Sequence, residues 1–446
     1  MKSIRFFVIG LVLCIAAIVT EAASWKGGEG NWSSDNWYDS EPTANDSAVI
    51  WNGTAAITET GEICKSLQLG GGASNFNGHV AISSGSLEVV NTMQIGPVGY
   101  GTVNMTGGLL KVNTIVLSQD RYNPSSITIS GDAEIQSYYF KVGWPGIGYV
   151  TQNGGTITTN ELALTNSNDR VFKGEGYYTM NSGTLNAGAV YVGIYKGEFK
   201  VTNPGVTINI TDGFDIRYDG TFLAPSGTVL HLKGAKFACQ KLASSEIPDL
   251  ANLTLSIEPR GGYESKLEAL GADPGAIPSV LTDNFAFDTI TIESGTCLRL
   301  INNMDNNRSV AANDVAVTRQ LKLSNGSTLF LNGINMYCQD WVPNCGSVDW
   351  NDYGKLYVLN ASYDMMINTD LSEIPADGQS ECEISTVLSD RGAPICNANI
   401  RFNTNKGTFV GGNNPSAFWA RTDAGGRANG FRMVPWRMEF SFHDRI

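Results

Sequence analysis

Along residues 83–232 a glycine returns at a nearly fixed interval, each time followed by alternating apolar residues, and no other feature limits the fold as tightly. The glycines are Gly85, Gly108, Gly131, Gly155, Gly183, Gly205 and Gly227, at spacings of 23, 23, 24, 28, 22 and 22 residues. A repeat of this length marks a stacked architecture in which each unit is one coil. Each coil holds three short runs. The first follows the glycine, as Leu87 with Val89, Leu110 with Val112, and Ala133 with Ile135. The second follows a polar bend, as Met93 with Ile95, Ile115 with Leu117, Phe140 with Val142, and Phe214 with Ile216. The third precedes the next glycine, as Val103 with Met105, Ile127 with Ile129, and Phe199 with Val201. Alternation with period two buries one face of each run and wets the other. Three such runs per coil, with no helical period, predict an all-β chain: a parallel β-helix of about 22–24 residues per coil. Crossovers between parallel strands are right-handed by default, and no coil can bury its own face alone.

The turns agree. Asn153, Asn181 and Asn203 stand two residues before their glycines, where tolerance of positive φ is useful. At the bend between the first and second runs Asn113, Gln136 and Asn160 share an offset, and an amide ladder along the tube is expected there.

Lys2 and Arg5 precede an uncharged run over residues 6–19, and Thr20, Glu21 and Ala22 offer small residues where a signal peptidase reads. Residues 1–22 are therefore expected to be a secretory signal, with a run too short to span a membrane. Cys14 follows Leu13, where a lipoprotein signal would want a small residue. Cleavage leaves 28 basic and 42 acidic side chains, a formal charge of −14 against −13 for the whole chain. So acidic a chain lacks the basic clusters that nucleic acid requires. The expected location is extracellular or at a cell surface, with no transmembrane segment after cleavage.

Seven cysteines remain. Export permits disulfides, and the shortest loops pair Cys338 with Cys345 and Cys382 with Cys396. Only His79, His231 and His443 exist, none at ligand spacing from a cysteine, so neither a metal nor another cofactor is expected. Residues 23–54, with Trp25, Trp32, Trp37 and Trp51, are expected to cap the tube at 55–238; their indoles could instead stack on sugar. An excursion at 239–283 contains one expected short helix near 265–270. Further coils follow at 284–341, and 342–446 reads as a C-terminal cap or small β subdomain.

The segments GNWSSDNWYDSEPTANDSAVIWNG, GYGTVNMTGGLLKVNTIVLS and GYVTQNGGTITTNELAL resemble the secreted bacterial β-helix proteins that carry autotransporter-associated-type repeats. ESGTCLRLINNMDNN and QLKLSNGSTLFLNGINMYCQDW resemble the closing segment of many of those proteins. The likeness covers roughly residues 25–341 and implies an extracellular or surface-displayed protein with no assigned enzymatic role. The last hundred residues depart from it, showing no dockerin-like calcium loops, sorting helix or autotransporter barrel strands.

Catalytic patterns are sparse. Asn368, Thr369 and Asp370 match one of the three carboxylate motifs of polygalacturonase-like β-helices, and the other two are absent. Asp215, Arg217 and Asp219 raise the question of a calcium-dependent lyase, although alternation with Phe214 and Ile216 also explains them as a solvated face. There is no Gly-x-Ser-x-Gly elbow and no phosphate-cradling loop.

A stronger pattern lies between the second and third runs, where Tyr100, Tyr122, Trp144, Phe172, Tyr195 and Tyr218 occur once per coil at spacings of 22, 22, 28, 23 and 23. Arg121 and Lys196 stand beside them. In register, these aromatics would line one corner of the tube, either stacking on one another or gripping a polysaccharide or other surface polymer. Two functions stand: a secreted, non-catalytic structural or adhesive solenoid that binds glycan, and a polysaccharide-active β-helix enzyme of lyase or glycosidase type.

Overall fold

The structure, a computed structural model, describes residues 22–435 except 72–74, 121, 166–173, 194, 242, 283, 305–313, 350–352, 362, 370–381, 391–392, 397–398, 404–406 and 410–416. Residues 1–21 of the expected signal segment lie outside the described residues, as do Arg121, Phe172 and Asp370. The chain is all-β. From Ala23–Ser24 to Leu356–Val358, 29 strands are hydrogen-bonded into one assembly, a β-solenoid of about 13 turns.

Register explains why the alternating residues build a core. In the first run Leu87, Leu110, Ile135, Ile157, Leu185, Ile208 and Leu230 are successive pairing partners, all essentially without solvent exposure. In the third run Val80, Val103, Ile127, Val150, Tyr178, Phe199 and Phe222 form the equivalent column. Each such side chain contributes about 1.5–3 kcal/mol by leaving water. Farther along the tube the columns turn aromatic: Tyr178 stacks on Phe199 at 5.0 Å and Phe214 on Phe237 at 5.9 Å.

The repeated glycine has two physical causes. Gly108 stands at φ +72° and Gly131 at +62°, in the left-handed region that side chains disfavour. Gly85 has an ordinary φ, but a Cβ there would collide with the backbone of Glu59 in the neighbouring coil.

Several boundaries differ from the sequence-based expectation. Coil stacking begins inside the expected cap, because Ala23–Ser24 pairs in parallel with Ser47–Ile50, and Glu29–Asn31 with Gly53–Ile57. Trp25, Trp32 and Trp37 fill this first coil, while Trp51 stays outside, stacked on Phe76. The excursion interrupts only one of the three runs. The first-run ladder passes from Thr228–Lys233 to Leu253–Glu258 to Phe287–Ile292, while 3₁₀ turns at Ser244–Glu246 and Pro248–Asn252 stand where a third run would be. The helix expected near 265–270 is the strand Ser265–Glu268, since Leu267 pairs between Phe237 and Leu300. Gln136 lies two positions out of register with Asn113 and Asn160, so the amide ladder forms elsewhere: Asn209 donates to Asn186 at 2.8 Å and Asn181 to Asn153 at 2.7 Å.

Solenoid pairing continues past 341 through Ser347–Asp349 and Leu356–Val358. Beyond it the strands are antiparallel. Cys382–Asp390 pairs with Tyr363–Thr369 and Arg427–Pro435, and Asn399–Asn403 with Ala417–Arg421.

Candidate functional site

The corner between the second and third runs is built by a column of tight turns. Gly70, Gly96, Gly143 and Gly193 have φ between +63° and +70°, and Ser118 and Thr165 take the same conformation at +59° and +58°. Each donates its backbone N–H to the second run of the preceding coil: Gly96 to Leu69, Ser118 to Ile95, Gly143 to Leu117, Thr165 to Val142 and Gly193 to Leu164. Successive corners are thereby locked in register, and the aromatic residues follow these turns.

Tyr100 opens strand Tyr100–Met105, and its backbone N–H donates to Phe76. Tyr122 projects farthest, 86 % exposed, from a loop in which Asp120 accepts from the Tyr122 N–H at 2.9 Å and from the Asn123 amide at 2.6 Å. Asn123 also donates to the Val98 carbonyl of the coil before. Trp144 is half-buried, with Lys141 Nζ 4.3 Å from its ring centre. The Tyr195 carbonyl accepts from the buried Thr165 hydroxyl, and that of Tyr218, whose ring is exposed, accepts from Lys241. Among the described residues no ring contact joins Tyr100, Tyr122, Trp144 and Tyr218 to one another. Their faces are not consumed by a self-stacked ladder.

Sequence reasoning missed the flanks of this corner. On the second-run face Lys141 lies over both Tyr139 and Trp144. On the third-run face Tyr149 stacks on Tyr177 at 5.0 Å and 13°. Lys196, expected beside the rings, bonds Glu175 at 2.8 Å and lies over Tyr177. The hydrogen bond from Lys196, then that from Tyr177, holds the Glu175 carboxyl below its ordinary value, and Glu175 in turn raises Lys196. The visible signal was spacing, with Lys141 two residues after one aromatic and three before another.

Asp215 and Arg217 do come together, at 3.0 Å, and the guanidinium also lies 4.5 Å from the centre of the Tyr191 ring. The Arg217 guanidinium thus bridges a carboxylate and an aromatic face. His231, Ser256 and Glu258 meet on the first-run face, an arrangement the sequence did not suggest. Glu258 binds the other two, and the serine hydroxyl donates to the acid at 3.2 Å rather than to the histidine. That order activates no nucleophile. Among the described residues no group of three or more His, Cys, Asp or Glu could hold a metal ion, and no helix is long and apolar enough to cross a membrane.

No family model, no curated protein and no solved structure matches this chain.

Proposed function

We propose that the chain is an exported, non-catalytic adhesive solenoid whose aromatic corner holds an extended polysaccharide of a cell surface or extracellular matrix. The observation that carries this reading is that, among the described residues, Tyr100, Tyr122, Trp144 and Tyr218 stand at the locked corner without ring contact to one another. Coils rise by about 4.8 Å, so a linear polymer along the tube axis meets Tyr100, Tyr122 and Trp144 on successive coils, and weak contacts add through multivalency. Aromatic faces flanked by polar groups suit sugar rings, and rigid turns lower the ordering cost of binding. The acidic balance, −13 for the chain, favours a neutral polymer over a polyanion. Export is inferred from the pattern of residues 1–22.

The test is affinity electrophoresis of the mature protein through immobilised neutral polysaccharides, with and without calcium. Replacing Tyr122 and Trp144 together by alanine should reduce retardation at least five-fold while circular dichroism and melting stay unchanged. Equal retardation by the folded double variant would leave the corner a structural seam. New reducing ends or unsaturated products, abolished by Asp215→Ala, would instead favour a polysaccharide lyase or glycosidase.

A further inference from the structure

The end of the solenoid and the C-terminal antiparallel strands each bring a cysteine to the same point. Cys345 occupies the turn after strand Met336–Pro343, half-buried and at φ +59°. Cys396 follows Ala393–Pro394 and is buried; the adjoining Ile395 N–H donates to the Leu388 carbonyl at 2.9 Å, fixing this segment to strand Cys382–Asp390. The two thiols are in hydrogen-bonding contact although 51 positions separate them. Spacing favoured Cys338 as the partner of Cys345, but Cys338 is buried in the solenoid core, between Thr318 and Val358 of the neighbouring coils.

We infer that Cys345 and Cys396 form a disulfide in the mature protein, clamping the C-terminal sheet to the last coils. Each thiol gives up a proton and one electron as the S–S bond forms. The two electrons and two protons pass to the disulfide of an exchange partner, an exported thiol–disulfide oxidoreductase or oxidised glutathione, which is cleaved to two thiols. Cys345 is the more exposed and meets that partner first, as a mixed disulfide. Cys396, pushed up to about 12 by burial and by its contact with Cys345, acts only on a sulfur already beside it.

The test uses the purified full chain incubated with oxidised glutathione, blocked with iodoacetamide, digested without reductant and analysed by mass spectrometry. A peptide pair joining Cys345 to Cys396, lost on reduction, is the expected result. Recovery of both residues alkylated, or of Cys345 linked to Cys338 or Cys382, would overturn the assignment. The clamp is read separately by amide exchange. In strands Tyr363–Thr369 and Cys382–Asp390, exchange should quicken at least three-fold on reduction of the native chain, and the Cys345→Ser variant should match the reduced protein in either buffer. Exchange in these strands that ignores the redox state would show that the bond fastens nothing.

Discussion

Thr165 takes φ +58° with a β-branched side chain, a conformation that costs about 1–3 kcal/mol. Its buried hydroxyl, bonded to the Tyr195 carbonyl at 3.0 Å, offsets part of that cost. Because Ser118 and Thr165 interrupt the glycines here, this second column of turns has no periodic letter, whereas the column through Gly108 and Gly131 could be read directly. A second illegible residue is Glu62, which points inward at the head of the column that continues as Leu87 and Leu110. Burial first, then a hydrogen bond with Glu41, then the charges of Glu41 and Glu59 raise it from 4.5 to about 7. Between those values the folded chain keeps a proton that the unfolded chain has released, so this group's stabilisation is full below pH 4.5 and is lost as pH rises through 7. Urea titrations from pH 4.5 to 8 should show the native protein losing stability across that window and Glu62→Gln losing less. Parallel profiles would mean that Glu62 does not titrate there.

At the scale of elements, a strand is fixed by its two neighbours more than by its own composition. Ser265–Glu268 shows this, since a segment with helical punctuation is held extended by partners on both sides. The same dependence made the regular coils legible and the excursion not: an interruption of one run looks, in sequence, like an interruption of all three. Strand Ser125–Ile129 carries the argument to a prediction. Ile127 is fully buried between Val103 and Val150, so Ile127→Asp places an unpaired carboxylate in a narrow core. The expected cost is about 3–5 kcal/mol. Limited proteolysis should find its first new cuts within residues 100–155, and an unchanged digestion pattern and melting temperature would remove Ile127 from the core.

The whole molecule behaves as a one-dimensional stack, in which each coil answers mainly to the coil above and below. The aromatic period could be read at this scale for the same reason, since one aromatic residue per coil recurs in the sequence. Lys141 was not, because its contacts with Tyr139 and Trp144 cross from a face to a corner. The N-terminal end tests the stack most directly. Trp32 is completely buried in the first coil, meets Trp37 edge-on at 4.9 Å, and accepts the Trp37 indole N–H on its backbone carbonyl at 2.7 Å. Trp32→Ala should cost about 3–5 kcal/mol through the cavity it leaves. Trp32→Phe should cost less, because the Trp32 Nε1 has no hydrogen-bond partner to lose. Nearest-neighbour stability confines the loss: amide exchange in Ser47–Ile50 and Gly53–Ile57 should accelerate at least ten-fold, while Leu109–Leu117 and Thr207–Ile216 keep their native rates. An equal acceleration of all four strands would mean that the tube opens as one cooperative body rather than coil by coil.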